Sequence, residues 1–209
     1  RGGPMQAKNS DAPSVLSEEQ IKISGQLKTL FPTYINSLKL MDSKGKSLTL
    51  DADGNGSFKD LVINYVIASA QKALDAGKDM SGYAFLKVSG NQVTGLDFGA
   101  YVSYMERMKT PPAFDALDLS TGENMLFGSA TIDKQHFTEF GQKNAIGEAS
   151  RVDEVFVKMM NPMYYLAQKN TTNAKHWRIR HGSKDKDTSL AISVILTTVL
   201  QNKGMDANL

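Results

Sequence analysis

The sequence predicts an α/β chain: a mostly helical stretch over residues 1–164, then a strand–helix–strand ending over residues 165–209. Three observations predict it. Apolar residues recur at helical spacing through most of the first stretch, as at Phe58, Leu61, Val62, Tyr65 and Val66. After Lys169 the pattern changes to a strand-like run, a polar loop, a helix apolar around most of its circumference, and a second strand. That order is one βαβ unit of a parallel sheet. Composition is also that of a folded domain, with 41% hydrophobic and 22% charged residues.

Taken in order, residues Arg1 to Pro13 are rich in Gly, Pro, Ser and Asn and read as a loose leader. The start at Arg1-Gly2-Gly3-Pro4 reads as an internal cut or a processed end. Ser17-Glu18-Glu19-Gln20 has capping-box spacing and predicts a helix to about Leu30, ended or kinked by Pro32. Ser47 to Leu50 alternates like a short strand and enters a turn at Asp51-Ala52-Asp53-Gly54-Asn55-Gly56. A helix follows from Ser57, with Gly77 at its C-terminal cap. Phe85 to Val88 and Gln92 to Thr94 flank Ser89-Gly90-Asn91 and predict a hairpin. Helices are expected over Leu96 to Met108, Lys134 to Lys143 and Arg151 to Met160, and from Pro162 to about Lys169. Trp177 to Arg180 should be a strand, and Thr188 or Ser189 should cap a helix that Gly204 stops. Met205 to Leu209 should begin the next strand.

Several function classes are disfavoured. The 24 basic and 22 acidic residues are dispersed and sum to +2, without the basic blocks that suit nucleic acid. No apolar run approaches the ~18–20 residues that span a bilayer, so a soluble protein with no membrane partner is expected. The absence of cysteine rules out disulfides, thiolate metal sites and cysteine nucleophiles and leaves the compartment open. No phosphate loop, dinucleotide fingerprint or His-Glu-x-x-His occurs, and no cofactor is expected. The ten methionines read as filling of irregular core.

Asp185 and Asp187 lie in the loop after the Trp177 strand, where catalytic groups of open α/β sheets gather. An acid placed there can fix the tautomer of a catalytic histidine. Spacing alone leaves a second reading open, in which Asp187 caps the following helix and Asp185 is solvated. In Asp51, Asp53 and Asn55 the turn offers alternate oxygen ligands like the front half of a calcium loop, but position twelve is Val62, where a carboxylate is needed. A strand-to-helix turn explains the same residues.

Trp177-Arg178-Ile179-Arg180-His181-Gly182, followed by Asp185-Lys186-Asp187-Thr188-Ser189-Leu190-Ala191-Ile192, resembles the acid-loop segment of bacterial tannases and related esterases. So do the stretches Leu30 to Leu38, Gly56 to Asp60, Lys109 to Asp115 and Gly122 to Gly128. The resemblance covers nearly the whole chain after the leader. It implies an α/β-hydrolase fragment, with a helical lid or insertion over 1–164 and an incomplete hydrolase end over 165–209. It further implies Asp185 as triad acid, and Lys109, Glu123 and Asp187 as contacts to the ring hydroxyls of a galloyl or related polyphenolic ester. Without it, Lys109 and Glu123 read as a solvated loop pair.

No Gly-x-Ser-x-Gly elbow occurs, and His136, His176 and His181 all precede Asp185, out of the family's order. The chain alone is therefore expected to be inactive, its partners being the polyphenolic substrate and the remainder of the hydrolase domain. A non-catalytic binding module and a calcium-stabilised structural domain are the competing classes.

Overall fold

The computed structural model describes residues 16–106 and 109–209. The expected leader at 1–13 lies outside the described residues, as do Arg107 and Met108 at the end of the expected third helix.

Helix α1 spans Glu18–Ser37 and opens on the expected capping box, Ser17 and Gln20 each donating a backbone N–H to the other's side chain. It does not end at Pro32. The ring removes one donor, but Pro32 and Ile35 are buried, and the next turn is clamped by Asn36. The Asn36 amide donates to the Leu50 carbonyl at 2.8 Å, while its oxygen accepts from the Leu50 N–H at 2.9 Å. Both Leu50 backbone groups are thus used, and Ser47 to Leu50 forms no ladder strand; one antiparallel bridge joins Met41 to Ser47. The alternation there still places Leu48 and Leu50 in the core.

At the following turn the Asp51 carboxylate accepts from the N–H groups of Asp53 and Asn55 at 3.0 and 2.8 Å. Helix α2, Ser57–Asp75, follows as expected, and Gly77 beyond it has φ 80°. Strands β1 (Leu86–Ser89) and β2 (Gln92–Leu96) form the hairpin around Gly90-Asn91. Because Leu96 pairs with Leu86, helix α3 begins later than expected, at Phe98, and runs to Met105 with Asp97 as its cap.

The middle of the chain departs most from expectation. A short helix α4, Gly122–Leu126, stands where none was expected. Residues 134–138 are not helical, and α5 is confined to Glu139–Lys143. The reason is a parallel bridge between His136 and Arg151: the His136 N–H donates to the Ser150 carbonyl and the Val152 N–H to the His136 carbonyl. Arg151 is likewise drawn out of α6, which spans Glu154–Met160 and is followed by α7, Pro162–Ala167.

The ending is the expected βαβ unit. Strand β3 (His176–Arg178) pairs in parallel with β4 (Asp206–Asn208), joined by α8 (Leu190–Asn202). Val194 and Ile195 of α8 share one core with Ile35, Leu40, Leu48, Leu50, Phe58 and Val62. Leu200 packs in a second core with Leu166 and Ala207. The two ends of the chain are therefore held against one apolar layer, which fixes the β3–α8 loop relative to α2. Among the described residues no helix is long and apolar enough to cross a membrane.

Candidate functional site

The β3–α8 loop is shaped by Asp185. Its Oδ1 accepts from the backbone N–H groups of Asp187 and Thr188 at 2.9 and 2.8 Å. Ser189, not Asp187, caps α8, so the helix needs no carboxylate from position 187. The nearly buried His181 reaches across the same loop, its Nε2 donating to the Thr188 carbonyl at 3.1 Å. That nitrogen is 3.9 Å from Asp185 Oδ2, beyond hydrogen-bond range.

The loop is tied to the end of α3. Lys186 and Lys184 approach the Glu106 carboxylate at 2.9 and 3.7 Å. Hydrogen bonding from Lys186, with the charge of Lys184, holds the Glu106 carboxyl below the ordinary glutamate range. Glu106 lies three residues before Lys109. The two stretches carrying the sequence-nominated residues are thus joined through one carboxylate.

Lys109 and Glu123 come together although they are 14 residues apart, with Nζ 2.6 Å from Oε1. Their side chains are 23% and 31% exposed, so the pair is not the freely solvated one that loop composition suggests. The Lys109 ammonium also sits 4.5 Å from the centre of the Phe114 ring, a cation–π contact. Burial pushes the Glu123 carboxyl up, but the hydrogen bond and charge of Lys109 outweigh it and hold Glu123 below its usual range. The arrangement is a charge-assisted donor and acceptor pair on an aromatic platform. It suits hydrogen bonding to adjacent phenolic hydroxyls, each both donor and acceptor.

Below this pair lies a buried cluster that the sequence reading did not nominate. Asp115, Asn124 and His136 are 3%, 0% and 0% exposed. Asp115 Oδ1 accepts from His136 Nδ1 at 2.7 Å and from the Asn124 amide at 2.8 Å. Its Oδ2 accepts from the Phe137 N–H at 3.2 Å, and from the Thr138 N–H and hydroxyl at 2.9 and 2.5 Å. The Asp115-to-His136 separation of 21 residues matches no motif spacing. The only hint was that Asp115 and Asn124 fall inside family-like stretches.

The Asp51, Asp53 and Asn55 turn closes on itself, Asp51 being taken up by backbone N–H groups. Among the described residues no group of three or more His, Cys, Asp or Glu is placed to hold a metal ion. A cleft of about 560 Å³ opens between α2, the hairpin and the start of the β3–α8 loop, where Arg180, His181 and Ser183 line it.

Neither a family model nor a curated protein matches the chain. Solved structures do. A tannase from Lactobacillus plantarum superposes with a TM-score of 0.89 at 47% identity over 92% of this chain. The chain is similar to bacterial tannases over nearly all of its length. A second tannase, from Fusobacterium nucleatum, matches at 47% identity and a TM-score of 0.86 over 93% of the chain. A tannin acyl hydrolase in complex with ethyl gallate matches at 47% identity and 0.88 over 92%. The chain spans about two fifths of the length of these tannases, 41% of the first and 42% of the other two. The matches cover 92–93% of the chain.

Proposed function

We propose that this chain supplies the acyl-recognition groups and the triad acid of a carboxylic-ester hydrolase acting on galloyl or related polyphenolic esters. The half-buried Lys109–Glu123 pair carries this reading, and the kinship with a tannin acyl hydrolase that binds ethyl gallate supports it. In this scheme residues 1–164 form the insertion that grips the ring and residues 165–209 the end of the hydrolase domain. Glu123 and Asp187 accept from ring hydroxyls, and Lys109 donates to a phenolic oxygen. An ester without those hydroxyls would cover the charged groups without making these charge-assisted bonds, which is the basis of selectivity.

Asp185 would hold a histidine in the tautomer that lets its other nitrogen take the proton from a serine hydroxyl as the oxygen attacks the ester carbonyl. The histidine returns that proton to the leaving alcohol, and water then hydrolyses the acyl-enzyme. No elbow serine occurs in these 209 residues, so serine, histidine and oxyanion donors would come from elsewhere in the complete protein.

The test is steady-state kinetics of the complete protein on a gallate ester and on the matching benzoate ester. Glu123→Ala or Lys109→Ala should raise KM for the gallate about tenfold or more and change the benzoate far less. Equal effects on both esters would remove the galloyl assignment. In the same assay Asp185→Asn should cut kcat by roughly two to four orders of magnitude with little change in KM. Unchanged turnover would remove the triad role.

A further inference from the structure

We infer that the buried Asp115–His136–Asn124 cluster is the positioning element for the Lys109–Glu123 pair, setting the selectivity of the ring site without touching substrate. The inference rests on the galloyl reading above and names residues that reading does not use.

The geometry joins both halves of the pair to one carboxylate. Glu123 stands in the first turn of α4, a helix of five residues too short to hold itself in water. What holds it is the next residue. The Asn124 amide donates to Asp115 Oδ1 at 2.8 Å and to the Gln135 carbonyl at 3.1 Å. The Asn124 side-chain oxygen accepts from the Ala116 N–H at 3.2 Å and lies 2.6 Å from the Thr121 hydroxyl. The other half is tied in by the same residues. Phe114, the platform beneath Lys109, directly precedes Asp115, and its carbonyl lies 2.5 Å from the Thr121 hydroxyl, whose single proton serves either this carbonyl or the Asn124 oxygen.

Asp115 in turn is fixed from the far side by His136, Phe137 and Thr138. His136 is locked by its bridge to Arg151, and the carboxylate packs against Gly141, in the space a side chain there would fill. A Cβ at position 141 would run into Asp115 Oδ2 and His136 Nδ1. A shift of Asp115 would therefore move the α4 first turn and the Phe114 ring together. Displacement by about 1 Å is enough to weaken a site built on short charge-assisted bonds.

A double-mutant cycle in the complete protein separates positioning from bulk stability. Asp115→Asn keeps the shape but removes the charge, and should raise KM for a gallate ester about tenfold while lowering kcat less. In the Glu123→Ala background the same substitution should add less than about twofold, because the group it positions is gone. Full additivity in the cycle, or equal loss on gallate and benzoate esters, would overturn the inference. Should Asp115→Asn fail to fold, Thr138→Val removes one of the five donors and enters the same cycle with a smaller expected factor. Equal KM effects of the Glu123→Ala single substitution on gallate and benzoate esters would instead sink the underlying galloyl reading, and that comparison is read separately from the coupling.

Discussion

Burial pushes the Asp115 carboxyl up, yet hydrogen bonds from Thr138, His136 and Asn124 outweigh that and hold it below the ordinary aspartate range. A folded-state pKa depressed in this way contributes stability above the unfolded carboxylate range, near pH ~4, and loses it as pH falls through the folded value. Tm should therefore decline between about pH 5 and pH 3, and Asp115→Asn should lower the neutral-pH stability by about 3 kcal/mol while flattening that decline. Calorimetric melts across this range check it; parallel declines in both proteins would count against it. At this scale the sequence pointed to Lys109, Glu123, Asp185 and Asp187 through family-like stretches. It could not show that Lys109 and Glu123 bond each other, or that Asp115 and His136 meet, because both contacts are made by the fold between distant positions.

Local signals decided the elements wherever chain neighbours alone satisfy the backbone. The Ser17 capping box, the Gly90-Asn91 hairpin turn and the α2 periodicity all stand as expected. They misled where a distant group took over: the Asn36 side chain for Leu50, and the backbone bridge between His136 and Arg151 for residues 134–138. The turn before α2 gives a sharp element-scale prediction. Gly56 has φ 136°, and a Cβ there would stand 2.5 Å from the Thr49 carbonyl oxygen, a backbone atom that cannot move aside cheaply. Gly54, at φ 78°, faces open space. Urea denaturation should show Gly56→Ala destabilised by about 3 kcal/mol or more and Gly54→Ala by only about 1 kcal/mol. Equal losses would mean that the close approach to Thr49 carries no cost.

Across the whole molecule, helix α8 joins the two ends. Its Val194 and Ile195 enter the core built on α1 and α2, Leu200 fills the layer with Leu166 and Ala207, and the Asn202 side chain bonds both backbone groups of Met41 at 2.8 Å. Leu200→Ala should cost about 2–5 kcal/mol in chemical denaturation, whereas Ile21→Ala, at a site 59% exposed, should cost within about 0.5 kcal/mol. Similar losses at the two sites would show that this layer does not hold the molecule together. By itself the sequence determined the α/β class and the closing βαβ unit, because periodicity and caps are properties of chain neighbours, and its family-like stretches nominated the residues proposed for the ring site. Only the tertiary structure decided that Lys109 and Glu123 form one half-buried pair and that a buried carboxylate stands behind it. Both depend on bonds between residues 14 and 21 positions apart, whose partners local spacing does not specify.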